Sequence, residues 1–162
     1  MSKTEAFPAK SPAMQLAGFV AKFDPVVAKL IRSARSALRK RFPTAHELVY
    51  DNYNFLAIGF SSTERTSDCI VSLAAYAKGV SLFFYYGAKL TDPHKLLQGS
   101  GKQVRFIRLE SAAMLLQPQI ETLLGAAVAQ AKTPLPRPGT GSGRLIIKSI
   151  SAKQRPRRSG SK

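Results

Sequence analysis

The chain has no tryptophan, one cysteine and two histidines in 162 residues. A lone thiol cannot close an internal disulfide, which excludes the stapled scaffolds of small secreted proteins and sets a reducing, cytoplasmic location as the expectation. His46 and His94 cannot build a three-histidine centre, and neither stands in an HExxH or Cys/His ligand spacing. Long hydrophobic runs are missing too: none approaches the ~20 residues of a membrane span. The first residues, MSKTEAFPAKSPAMQ, hold no continuous apolar stretch of the signal-peptide kind. Acidic residues are the scarcest charged class, nine against 25 lysines and arginines, for a net charge of +16.

That charge is unevenly placed. Residues 1–21 carry +1, residues 22–41 carry +6, residues 42–131 balance seven bases with seven acids, and residues 132–162 carry +9 with no acid. This pattern describes a neutral core bearing one basic helix and one basic tail. Hydrophobic residues at 44%, with nine Phe and five Tyr, suffice for one packed core, and a chain of this length seldom builds two.

Asp24 and Pro25 form an N-cap and first-turn signal. Beyond them Val27, Leu30, Ile31, Ala34 and Leu38 recur at helical spacing, while Lys29, Arg32, Arg35, Arg39 and Lys40 fall on the opposite side. A shorter helix is expected over 15–23. After Pro43 the chain reads as strands at 46–51, 55–61, 68–77, 80–86 and 104–109, separated by turn signals such as Asp51-Asn52 and Lys78-Gly79. The run at 80–86 is apolar on both faces and reads as central; 104–109 reads as an edge. Pro118 opens a last helix, whose stripe is Ile120, Leu123, Leu124, Ala127, Val128 and Ala131. The expected fold is therefore α+β in two layers, an antiparallel sheet of about five strands with the N-terminal and C-terminal helices on one face. The expected organisation is a flexible N-terminus over 1–13, one domain over 14–131, a Pro/Gly-rich linker over 132–143 and a basic tail over 144–162.

Several residues invite chemical readings. Gly99-Ser100-Gly101-Lys102 lacks the earlier glycine and the following Ser or Thr of a Walker loop, since Leu96 and Gln103 stand there. Gly99, Ser100, Gly101, Lys102 and Arg105 are instead a candidate anion nest, set against a plain glycine bend. Glu47 and Asp51 are spaced to share one strand face, a candidate acid/base pair, although Asp51 also suits the opening of a turn. Cys69, inside an apolar strand, reads as a buried structural thiol. No nucleophile, base and orienting partner occur together, so a non-enzymatic binding or carrier module without a cofactor is expected.

Over GAKLTDP, LLQGSGK and Arg105 the chain resembles the YdhG-like family, a domain of unknown function whose bacterial member is described as a frataxin-like iron chaperone. The resemblance implies this α+β fold and a role in carrying iron. Its candidate ligands, Glu47, Asp51, Asp92 and His94, form no motif, and no metal site is assigned. The alternative is accessory, non-sequence-specific binding of RNA, DNA or another polyanion. Its candidate residues are Arg32, Arg35, Arg39 and Lys40 on the helix with Lys153, Arg155, Arg157 and Arg158 in the tail. On that reading, deleting the tail should abolish nucleic-acid binding and leave the domain intact. Within the tail Leu145, Ile146, Ile147 and Ile150 form an apolar cluster able to add a strand to this sheet or to dock on a protein partner.

Overall fold

The computed structural model describes residues 10–139 and 143–160. Ser11 caps α1 (Pro12–Ala21), its Oγ accepting from the Met14 amide at 3.1 Å. Helix α2 (Pro25–Arg41) buries Ile31, Ala34 and Leu38 of the expected stripe together with Ala28, while Val27 and Leu30 are half-buried against the core. Asp24 stands at its N-cap position without a side-chain cap bond; that carboxylate is engaged by the far end of the chain.

The strands are β1 (His46–Asp51), β2 (Leu56–Ser61), β3 (Cys69–Tyr76), β4 (Gly79–Phe84), β5 (Arg105–Leu109) and β6 (Leu145–Ile150). They form one sheet in the order β5-β4-β3-β2-β1-β6. From β1 to β5 every pairing is antiparallel between sequence neighbours. β4 lies inside the sheet and β5 at its edge, where Arg105 and Arg108 oppose further strand pairing.

Helix α3 (Pro118–Gln130) follows a short 3₁₀ turn at Ala112–Leu116. The three helices and Val49, Ile58, Leu73, Leu82 and Ile107, aligned across β1 to β5, form one hydrophobic cluster. The helices therefore share one face of the sheet. On the other face Phe83 stacks on Phe106 and Phe55 meets Tyr76 edge-on.

The expectation of about five antiparallel strands is corrected to six in a mixed sheet. β6 pairs parallel to β1, with a bulge between Val49 and Tyr50. Leu145 and Ile147 join the hydrophobic core, and α1 packs against the strand. The segment read as a tail beyond the domain is thus the strand that covers the β1 edge. Of the stretch expected to be flexible, residues 1–9 lie outside the described residues, and Pro12 and Ala13 are helical. In the expected linker, residues 140–142 lie outside the described residues.

Candidate polyanion interface

Helical spacing puts Arg32, Arg35, Ser36, Arg39 and Lys40 along one side of α2, where they line a groove with Phe42, Pro43, Ala45, Glu47, Phe60 and Gly143. Its volume is about 710 Å³. Four cations thus face one carboxylate. Arg35 grips Glu47 with Nε at 2.6 Å and Nη2 at 2.9 Å, a two-pronged pair, and Arg39 Nε lies 3.5 Å from the same carboxylate. Glu47 is buried, so its charge neutralises Arg35 and fixes that side chain against β1. Arg32, Arg39 and Lys40 are exposed. From Arg32 to Lys40 the helix rises roughly 12 Å, enough to span more than one backbone phosphate. At Gly143 a Cβ would overlap the Ala45 carbonyl, so the groove wall needs glycine there.

The tail cations do not join this groove. Arg157 is buried with its side chain 4% exposed, and its Nη2 donates to Asp51 Oδ1 at 2.9 Å and to the Asn52 carbonyl at 2.6 Å. Arg158 reaches Asp24 at 3.7 Å, and Ser159 donates to the same carboxylate through both its amide and its hydroxyl. The Arg155 guanidinium lies 5.5 Å from the centre of the Tyr53 ring, and Lys153 is exposed. These groups cluster where β1 ends and α2 begins, whereas the groove lies where α2 ends and β1 begins. The structure therefore separates two basic groups that the sequence lets one treat as a single surface. Part of the C-terminal charge is spent on acids elsewhere in the chain: Arg144 and Arg157 pair with Glu64 and Asp51 of the otherwise neutral core, and Arg158 with Asp24 at the start of α2.

The glycine-rich loop is organised by its own arginine. Gly99 sits at φ +116°, a backbone region that favours glycine. Arg105 Nη1 donates to the Gly101 carbonyl at 2.5 Å and to the Val104 carbonyl at 2.9 Å. Carbonyl oxygens converge on the guanidinium, the reverse polarity of an amide nest. Ser100 and Lys102 are exposed. Within the family-like stretch, the Gln103 carbonyl accepts from the Ala88 amide at 2.9 Å, and Asp92 accepts from the amides of Leu96 and Leu97 at 3.0 and 2.8 Å. These residues hold the β4 to β5 connection together.

Glu47 and Asp51 do share the helix-side face of β1, but each is already ion-paired. Burial pushes the Asp51 carboxyl upward; hydrogen bonds from Lys22 and Arg157 and the charge of Lys22 outweigh it and hold the group below the usual carboxylate range. Lys22 Nζ lies 2.6 Å from Asp51 Oδ2. The oxygen ligands that iron carriage would draw on are therefore committed to arginine, lysine or backbone amides. Among the described residues no three His, Cys, Asp or Glu side chains are grouped to hold a metal ion. The donor set does not fit iron.

Cys69 is buried, packed against Gly59, and burial pushes its thiol up to about 11. A neutral, covered thiol is a poor nucleophile. Iodoacetamide at pH 8 is expected to alkylate the folded protein about a hundredfold more slowly than the urea-unfolded chain; equal rates would mean that the thiol is accessible.

Among the described residues no helix is long and apolar enough to cross a membrane. Comparison with protein-family models, with curated proteins and with solved structures finds no match, so the functional reading rests on the residues and their geometry.

Proposed function

We propose that this chain is a non-enzymatic binding module that holds a phosphate-rich polyanion, RNA or DNA, in the α2 groove without reading base sequence. The observation that carries this reading is the groove itself, lined by Arg32, Arg35, Arg39 and Lys40 with Glu47 as its single carboxylate. Such an arrangement neutralises phosphates and releases counterions, a mode of binding that depends on charge and spacing rather than on base edges. The YdhG-like resemblance supports a fold family; its sharp residues lie around β4 and β5, at the opposite side of the sheet from the groove. The single buried cysteine suits a cytoplasmic setting.

The test is fluorescence anisotropy with a short single-stranded RNA and a duplex DNA across a salt series. The variant is the triple substitution Arg32→Gln, Arg39→Gln and Lys40→Gln; Arg35 is kept because Glu47 depends on it. The wild type should bind both probes with a steep salt dependence. The triple variant should lose at least about tenfold in affinity near 100 mM salt, with a log–log slope smaller by about 2 to 3. A Lys153→Gln and Arg155→Gln control should stay within about threefold of wild type. No wild-type binding, or a triple variant indistinguishable from wild type, would sink the proposal.

A further inference from the structure

A second cavity lies between the end of α3, the start of β3 and the turn after β4. Its volume is about 110 Å³, and Cys69, Ile70, Ala127 and Ala131 supply apolar lining. An apolar cavity of about 150 Å³ accommodates a whole benzene molecule, so this smaller one takes a chain of a few carbons or the inner part of a ring whose polar end stays at the mouth. Its walls are tied to one another. Gln130 Nε2 donates to the Tyr86 carbonyl at 3.0 Å, Tyr86 Oη donates to the Ser67 carbonyl at 2.6 Å, and Thr133 Oγ1 donates to Asp68 Oδ1 at 3.3 Å. A hollow braced by three such bonds from separate elements is formed before any ligand arrives, which lowers the cost of ordering it.

Lys89 and Lys132 also line the cavity, both exposed. Neither has a carboxylate within ion-pair distance among the described residues. The one acid in the lining is Asp68, and it is spent internally. Its Oδ2 accepts from Thr63 at 2.7 Å and pairs with Arg65 at 3.0 Å, while its Oδ1 faces Thr133. An apolar floor beneath two lysines without an ion-pair partner is complementary to a molecule with a hydrocarbon body and a negative head.

We infer that this cavity binds a small amphipathic monocarboxylate, its ring or short chain against Ile70, Ala127 and Ala131 and its carboxylate toward Lys89 and Lys132. The site is separate from the α2 groove and does not depend on the polyanion reading.

The experiment is a titration of the ¹⁵N-labelled full chain with benzoate, and with benzyl alcohol as the uncharged counterpart. Benzoate should shift the amides of Ile70, Ala127 and Ala131 saturably, with a dissociation constant on the order of 1 mM for a probe of this size. Benzyl alcohol should bind at least about tenfold more weakly, because charge pairing beside an apolar surface is worth that much. Replacing both Lys89 and Lys132 by Gln should bring benzoate down to the level of the alcohol. Because both side chains are exposed, this variant keeps the native spectrum elsewhere, and RNA binding in the α2 groove should be unchanged in it. Ala127→Leu should fill the cavity and abolish both ligands. Absence of saturable shifts at the cavity, equal affinity for acid and alcohol, or full benzoate binding in the double-lysine variant would each overturn the assignment.

Discussion

Asp51→Ala is expected to destabilise the protein by about 3–5 kcal/mol, because it leaves a buried guanidinium without its counter-charge. Asp51 is 0% exposed and holds Lys22 and Arg157 on separate oxygens. Lys22, with a side chain 40% exposed, can turn to water when the carboxylate is removed. Arg157 cannot: it packs over Phe23, its Nε and Nη1 already lack protein partners, and β6 holds the chain before it in place. Arg157→Met should cost less, since Asp51 keeps Lys22 and the new side chain packs on Phe23. The double variant should recover much of the loss of Asp51→Ala, because a buried ion pair replaced on both sides leaves nothing unpaired. Urea denaturation of the four proteins measures this cycle. A cost below about 1 kcal/mol for Asp51→Ala, or a double variant no more stable than that single one, would contradict it.

The same pair sets an acid limit. The folded Asp51 pKa lies below its ordinary value, the net of burial raising it and Lys22 and Arg157 lowering it further. The unfolded state therefore takes up the proton first as pH falls. The stabilisation is complete above about pH 4 and is lost as pH drops toward the lower folded value. Asp51→Asn should flatten stability against pH in that window, and an unchanged profile would place the acid sensitivity elsewhere.

A chain ending at Lys132 is expected to be insoluble or unfolded, a larger effect than any single substitution. The truncation removes β6, which exposes β1 as a sheet edge and withdraws Leu145 and Ile147 from the core. It also removes Arg157, Arg158 and Arg144, the partners of Asp51, Asp24 and Glu64. An uncovered edge strand carrying Leu48 and Val49, both 0% exposed in the intact protein, is a template for aggregation. Loss of soluble material or of amide dispersion in the ¹H–¹⁵N spectrum is the expected result. A soluble truncated chain with native dispersion would show that β6 is dispensable. The tail deletion that the sequence suggests as a probe of nucleic-acid binding thus removes part of the fold, and substitutions along α2 are the cleaner probe.

Local pattern carries much of this architecture. Alternation and turn residues place β1 to β5 within one or two residues, because each pairs with its sequence neighbour at a period of two and, from β1 to β4, through a short connection. The α2 groove is also legible on its helical side, since Arg32, Arg35, Arg39 and Lys40 follow helical spacing. Glu47 is legible only as a carboxylate on a strand; its capture by Arg35 depends on how α2 crosses the sheet. The place of β6 has no local signal beyond the apolar cluster at Leu145, Ile146, Ile147 and Ile150. Parallel pairing to β1 is made by backbone groups that every residue carries, so no side-chain pattern names the partner strand.

The amino-acid sequence by itself determined the two-layer α+β class, most of the buried helix positions and the approximate spans of five strands, because those follow from periodicities within a few residues of one another. The tertiary structure alone decided that a lysine- and arginine-rich end completes the sheet and that Arg157 is buried. Arg157 and Asp51 lie 106 positions apart, and a charge is stabilised inside a protein only by the partner that folding brings to it.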